Sequence, residues 1–88
     1  MDKPWFVYIL SCKDASLYTG ITDNIPKRLA AHQAGKGAKY TRGRGPLQLQ
    51  YTEKCDTYSQ ALRREAQIKR LRREQKLQLI DTWTVIEE

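Results

Sequence analysis

One carboxylate lies at an unusual position on a predicted helix. The pattern of residues 58–70 predicts a helix, and at about 100° per residue its apolar side chains form one broad arc. Glu65 falls inside this arc, where a carboxylate is costly unless it is paired. It is therefore either the partner of Lys69, four residues on, or a metal ligand pointing across a neighbouring sheet. The arc consists of Ala61, Leu62, Ala66, Ile68 and Leu71.

An earlier helix, predicted from about residue 25 to residue 34, carries a cation and an imidazole. Arg28 and His32 are four residues apart and therefore point the same way. His32 falls beside Ile25 in helical angle, so it is either a half-buried core histidine or a functional one. Arg28 is either a surface cation whose stem covers apolar surface or a ligand for negative charge.

Two tyrosines lie on a predicted hairpin. Residues 5–10 and 17–22 predict two strands, with a polar turn between them. Tyr8 and Tyr18 are ordinary strand formers, so the pattern alone requires no function of them. Gly20 follows Tyr18 on the same strand face. Since glycine weakens a strand and often marks a close approach, we expect it to leave room beside the Tyr18 hydroxyl.

Residues 35–46 form a basic, glycine-rich loop. They lack a G-K-S/T motif and follow no predicted strand, so a nucleotide-binding loop is rejected. A loop with four cations and one aromatic residue is suited to contact with a nucleic-acid backbone and to stacking on bases. Its cationic and aromatic residues are Lys36, Lys39, Tyr40, Arg42 and Arg44.

The charge is concentrated in the first half of the chain. The 88 residues carry 16 Lys and Arg against 10 Asp and Glu, a net charge of +6. No acidic residue lies between Asp23 and Glu53. Such a field predicts a nucleic-acid partner, because cations that replace condensed counterions gain the entropy of their release. The alternative is a solvated surface that keeps the protein soluble.

Other features exclude several classes of protein. Zinc is not expected, since two distant cysteines and one histidine cannot supply four closely spaced ligands. Cys12 and Cys55 suit a reducing compartment, although a disulfide between them is left open. Neither a signal peptide nor a membrane-spanning run is apparent. We therefore expect a cytoplasmic monomer with no membrane partner.

The predicted elements define the fold class. Residues 47–52 alternate strictly and predict a third strand, and a helix over 73–82 is either separate from the one before it or continuous with it. The expected order is ββαβαα. We predict a single α/β (α+β) domain over residues 1–88, with its core at about 5–80, in which helices flank a three-stranded antiparallel sheet.

Taken in order, these residues resemble the GIY-YIG nuclease domain. The resemblance rests on V-Y-I-L around Tyr8, on Y-T-G at 18–20, and then on Arg28, His32 and Glu65. The segments L-Y-T-G-I-T, G-K-G-A-K-Y-T-R and A-L-R-R-E-A-Q-I-K are similar to small stand-alone bacterial, UPF0213-like members of that superfamily. The resemblance covers about residues 5–80. Three motif positions differ, and a later asparagine of the family has no counterpart: the differing residues are Phe6, Val7 and Thr19.

The resemblance implies a metal-dependent endonuclease that hydrolyses phosphodiester bonds in DNA, with RNA as the second candidate. It implies that Glu65 binds Mg²⁺ or Mn²⁺ and that Arg28 neutralises charge on the phosphate. Tyr8 is then the candidate general base, Tyr18 holds the water or the phosphate, and His32 relays the proton. A tyrosine titrates near 10, so we expect nearby cations to depress the pKa of Tyr8.

Two alternatives keep the fold without robust catalysis: a catalytically weak nucleic-acid-binding module and an adaptor in a protein complex. In either case a set of residues outside the catalytic group is expected to contact nucleic acid. This set is Gly20, Lys27, Lys36, Lys39, Tyr40, Arg42, Arg44 and Lys69.

Overall fold

The computed structural model describes residues 3–38 and 41–86 and confirms the predicted order of elements. The fold is α+β, with a three-stranded antiparallel sheet and three helices. The elements are β1 (Trp5–Ser11), β2 (Leu17–Thr22), α1 (Ile25–Gln33), β3 (Gln48–Cys55), α2 (Tyr58–Lys69) and α3 (Arg73–Ile86).

The first strand lies in the middle of the sheet, in the order β2-β1-β3. The hairpin register places Tyr8 opposite Gly20 and Leu10 opposite Tyr18. Side chains alternate between the two faces of a strand. The first hairpin therefore presents Tyr8 on the same face as Tyr18 and Gly20, the two residues that the sequence predicted to share a strand face.

Helices cover both faces of the sheet. On one face Tyr8 and Leu10 belong to a core cluster that Ile25 and Leu29 of α1 pack against. On the other face a second cluster joins strand residues to α2 and α3. Its buried members are Val7, Ile9, Tyr51, Cys55, Ala61, Ile68 and Ile80. The sheet is the middle layer, so α1 and α2 approach the central strand from opposite sides.

Local signals fix the beginnings of the helices. Asn24 caps α1 through its side chain, which accepts a hydrogen bond from the Lys27 N–H, and Pro26 lies in the first turn. Past its end Gly35 has a φ of +78°, a conformation that favours glycine. Thr57 caps α2 by accepting from the Gln60 N–H at 3.1 Å.

The strand β3 and the helix α3 both end later than predicted. The strand β3 continues to Cys55 rather than Thr52, because the pairing with β1 extends to Trp5 opposite Cys55. The helices α2 and α3 are separate, and α3 continues to Ile86 rather than ending near Thr82.

The two cysteines are free thiols in different core clusters, so the disulfide left open by the sequence does not form. Across residues 3–38 and 41–86 no helix combines the length and the apolar character needed to span a membrane.

Candidate active site

A buried tyrosine–histidine pair lies between β1 and α1. The Tyr8 hydroxyl is 2.9 Å from Nε2 of His32, and the two residues are only 3% and 2% exposed. The Asn24 cap sets the phase of α1, which turns His32 towards the sheet. The resemblance to the GIY-YIG domain implied one site for both residues, and the structure brings them together.

A threonine determines which nitrogen of the histidine carries the proton. The Thr41 hydroxyl donates to the Ala38 carbonyl at 2.9 Å and lies 2.9 Å from Nδ1 of His32. Because its only proton is used, the hydroxyl accepts from Nδ1–H. Nε2 of the neutral ring is then an acceptor, and the Tyr8 hydroxyl donates to it. The result is a directed chain from Tyr8 through His32 to Thr41.

The environment keeps this histidine neutral. Burial lowers the pKa of His32 below its ordinary value of 6.5, and the charge of Arg28 lowers it further. A neutral imidazole with Nδ1 protonated offers Nε2 as a proton acceptor. The site therefore holds a base directly behind the Tyr8 hydroxyl.

The pKa of Tyr8 shifts in the direction opposite to the one expected. Burial raises it above the ordinary value of 10.0, and this exceeds the lowering that a hydrogen bond from Arg28 causes. The prediction that cations depress this pKa is wrong, because Tyr8 lies in the core cluster beneath α1 and loses more solvation than Arg28 restores. Tyr8 is thus a neutral phenol that needs an acceptor for its proton.

Arg28 and Tyr18 complete the group on this face. Interaction with the Tyr8 hydroxyl raises the pKa of Arg28, and the Tyr18 hydroxyl adds to this. The Tyr18 ring centroid lies 6.3 Å from that of Tyr8 and 5.3 Å from that of His32. Four predicted site residues are therefore brought together, with a permanent positive charge between two hydroxyls.

Two glycines permit this packing. A Cβ on Gly20 would lie 2.6 Å from the Tyr8 hydroxyl oxygen, so its absence lets Tyr8 lie across β2. The sequence predicted that Gly20 leaves space beside the Tyr18 hydroxyl. The structure instead places the Tyr8 hydroxyl in that space, and Tyr8 is the cross-strand partner of Gly20. A Cβ on Gly37 would overlap Nδ1 of His32.

Gly37 and Thr41 were not identified from the sequence as site residues. Periodicity does not define the path of a loop, so nothing predicted that Gly37 and Thr41 lie against His32. The available signal was the single threonine within G-K-G-A-K-Y-T-R, a segment otherwise composed of glycines, cations, one alanine and one tyrosine.

Glu65 lies on α2, which packs on the face of the sheet opposite to α1. It forms an ion pair with Lys69 at 3.4 Å, and its side chain is 19% exposed. Its charge contributes to raising the pKa of Tyr8, so the carboxylate lies within electrostatic reach of the tyrosine–histidine pair. The structure thus contains the ion pair with Lys69 that the sequence offered as one interpretation of Glu65. It also leaves Glu65 largely buried, as the alternative interpretation, a metal ligand, requires.

The apolar arc on α2 is narrower than predicted. Ala61 and Ile68 are fully buried, whereas Leu62 is 40% exposed and Ala66 is also exposed. The helix meets the sheet along the stripe that contains residues 61 and 68. Glu65, with its side chain 19% exposed, therefore lies beside the fully buried stripe rather than within it.

The residues present fit a metal that takes few protein ligands. No group of three or more His, Cys, Asp or Glu side chains converges anywhere in the described ranges. A single half-buried carboxylate suits Mg²⁺, which retains several waters and is usually completed by substrate phosphate. Zinc, in contrast, is usually held by three or four nitrogen, sulfur or oxygen ligands.

The predicted nucleic-acid contacts have different surroundings. Lys27, Lys36 and Arg42 are exposed, whereas Arg44 forms an ion pair with Asp14 at 2.5 Å. Lys39 and Tyr40 lie outside the described residues. Contact of any of these residues with nucleic acid stays a prediction.

Comparison with known proteins places the chain in a family. The model of the GIY-YIG catalytic domain matches residues 4–78. The chain therefore belongs to the GIY-YIG family of nuclease domains, whose members bind nucleic acid and generally use divalent metal ions. The recognition made from Tyr8, Tyr18, Arg28, His32 and Glu65 is confirmed at the level of the family.

Three relatives are similar over most of their lengths. A UPF0213 protein of Clostridium perfringens is 57% identical, over 94% of this chain and 89% of the relative. The solution NMR structure of a UPF0213 protein from Bacillus halodurans has a TM-score of 0.59 at 47% identity, covering 90% of this chain and 84% of that one. An NMR structure of a protein from E. faecalis has a TM-score of 0.65 at 41% identity, covering 96% and 90%.

Proposed function

We propose that this protein is a divalent-metal-dependent endonuclease that hydrolyses phosphodiester bonds in DNA. The observation that carries the proposal is the directed hydrogen-bond chain from Tyr8 through His32 to Thr41. A purely structural tyrosine needs one acceptor, and a backbone carbonyl would serve. A neutral imidazole held in one tautomer is an acceptor that can also take the proton.

In the proposed reaction the Tyr8 oxygen removes a proton from the attacking water. As it does so, its own proton passes to Nε2 of His32 along the 2.9 Å hydrogen bond. The water oxygen forms a bond to phosphorus, and the bond to the leaving oxygen breaks. The raised pKa of Tyr8 is compatible with this role, because the phenol never has to exist as a free phenolate.

Arg28 neutralises negative charge that develops on the phosphate. Its planar guanidinium stays charged and suits phosphate oxygens. It already interacts with both tyrosine hydroxyls, so a phosphate bound there would meet Arg28, Tyr8 and Tyr18 together. Tyr18 then orients the phosphate or the attacking water.

Glu65 would hold one Mg²⁺ or Mn²⁺ ion. When bound, such an ion polarises the phosphate and stabilises the leaving oxygen. Lys69 must then release the carboxylate with which it is paired. The low exposure of Glu65 keeps its carboxylate directed towards the sheet rather than into solvent.

The proposed nucleophile, an external water, is compatible with DNA as the substrate. RNA carries a 2′-hydroxyl, which DNA lacks and which can attack the neighbouring phosphate. A site that activates an external water does not need this group, so a DNA strand contains everything that the proposed chemistry uses.

The proposal is tested with flap, branched, single-stranded and duplex DNA and with RNA of the same sequences, in Mg²⁺, Mn²⁺ or EDTA. We expect cleavage of at least one DNA substrate with either metal and none in EDTA. Tyr8→Phe, purified identically, controls for contaminating nuclease and should cleave about a hundredfold more slowly or less. Metal-independent cleavage, or equal rates for both proteins, would contradict the proposal. Binding without cleavage in either metal would favour a binding module.

A further inference from the structure

An open groove of about 260 Å³ lies at the outer edge of the sheet. It is formed where β2, the edge strand, meets α2 and α3. Its lining residues are Leu17, Tyr18, Thr19, Lys69 and Lys76. None of these described lining residues is acidic, and two of them are lysines, Lys69 at the end of α2 and Lys76 on α3.

A buried hydroxyl without a partner belongs to this groove. Thr19 is 4% exposed, and its Oγ1 has no hydrogen-bond partner among the described residues. Most buried polar side-chain atoms have a partner, and an exception calls for a reason such as a missing ligand or water. A valine would fill the same space without this cost. A polar ligand or a water beside β2 would supply the partner that this hydroxyl lacks.

The two lysines of the groove differ in their ion pairs. Lys69 is engaged with Glu65 at 3.4 Å, whereas Lys76 makes no ion pair or side-chain hydrogen bond within residues 3–38 and 41–83. Lys76 is thus available to bind an anion. Lys69 becomes available when another cation binds Glu65 in its place. An anion in the groove would satisfy both.

We propose that this groove binds a backbone phosphate of the nucleic-acid strand, adjacent to the phosphate that is cleaved. This inference rests on the proposed nuclease function. Tyr18 lies both in the groove and beside His32, with 5.3 Å between the ring centroids, and Lys69 joins the groove to Glu65. A strand that crosses the edge of β2 therefore passes from the catalytic face to Lys76.

The test compares Lys76→Gln with Lys54→Gln. Both changes remove one positive charge, but Lys54 is an exposed residue of β3, the opposite edge strand. Binding to a labelled 12-nucleotide single strand and to its duplex is measured in EDTA over a range of salt concentrations. Loss of one phosphate contact should reduce the log–log salt slope by about 0.7 for the single strand and about 0.9 for the duplex. We expect this reduction in Lys76→Gln and an unchanged slope in Lys54→Gln.

Thr19→Val tests the buried hydroxyl separately. It keeps the shape of the side chain and removes only the oxygen, so we expect a higher melting temperature together with a several-fold higher Kd for DNA. A merely unsatisfied hydroxyl would give the first effect without the second. Unchanged affinity would therefore overturn the assignment of Thr19 to the phosphate.

The outcomes separate this inference from the function on which it rests. If the wild-type protein binds and cleaves DNA while Lys76→Gln has the same salt slope as Lys54→Gln, the groove assignment is wrong and the nuclease proposal stands. If the wild-type protein does not bind DNA, both are overturned.

Discussion

The Tyr8 hydroxyl donates to Nε2 of His32 across 2.9 Å, at a depth where both side chains are almost completely buried. Burial raises the pKa of the donor and lowers that of the acceptor. Both shifts favour the neutral pair. The same arrangement allows the Tyr8 proton to move to Nε2 of His32 when the Tyr8 oxygen receives a proton from the attacking water.

The pH dependence of cleavage should report His32. Because the pKa of His32 lies below 6.5, the imidazole stays neutral and can accept a proton down to mildly acidic pH. It loses this ability only when the pH falls below its own pKa. We expect the acidic limb of kcat to have its midpoint below pH 6.5. The His32 ring resonances, followed by NMR, should titrate over the same range. A midpoint above pH 6.5 in either measurement would contradict the account.

The same shift predicts how stability depends on pH. A histidine whose pKa is lower in the folded state binds fewer protons there than in the unfolded chain. Its favourable contribution is therefore complete above about pH 6.5, the unfolded value, and is lost as the pH falls towards the folded value. Denaturant unfolding at pH 7 and pH 5 should give a lower free energy at pH 5. His32→Gln should reduce this difference; an equal difference in the variant would exclude His32 as its source.

Thr41 should act through the tautomer of His32. Thr41→Val leaves Nδ1–H buried without an acceptor, which costs about 1–3 kcal/mol of stability, and it no longer holds the proton on Nδ1. We expect kcat to fall while the Kd for DNA is unchanged. Thr41→Ser retains the hydroxyl and serves as the matched control. If the valine variant turns over as fast as the serine variant, Thr41 has no part in the relay.

Strand alternation put Tyr18 and Gly20 on one strand face, and helix phase put Arg28 and His32 on one side of α1, because each of these features is local. The resemblance to the GIY-YIG domain was needed to join Tyr8, Tyr18, Arg28 and His32 in one site. The Asn24 cap and the hairpin turn could be identified in the same way. Thr41 reaches His32 through a loop whose path follows from no periodicity, so it was missed.

Tertiary burial explains the other differences between sequence and structure. The direction of the Tyr8 pKa depends on how completely α1 covers the tyrosine, which the sequence does not specify. The width of the buried face on α2 likewise depends on how the helix lies on the sheet, and this turned Leu62 outwards.

Gly20 should be required for the position of the Tyr8 hydroxyl. In Gly20→Ala the new Cβ would lie 2.6 Å from that oxygen, so Tyr8 must move away. A displacement of about 1 Å can reduce the rate about a hundredfold. Gly45→Ala is the control, since a Cβ there meets no atom within 4 Å. Cleavage kinetics with DNA binding measured in parallel should give a loss of kcat at Gly20 only, and equal kcat in both variants would show that Tyr8 tolerates the Cβ.

Glu65→Gln tests the central claim most directly, with Glu74→Gln as its control. Each change neutralises a carboxylate that is paired with a cation, but the Glu74 side chain is 70% exposed and that of Glu65 is 19% exposed. The measurement is the rate of Mg²⁺-dependent DNA cleavage, with melting temperature and DNA affinity determined for the same samples. We predict that Glu65→Gln stays folded, binds DNA at least as tightly as the wild type and does not cleave it, whereas Glu74→Gln cleaves normally. A Glu65→Gln protein that cleaves at the wild-type rate would contradict the assignment of the metal site.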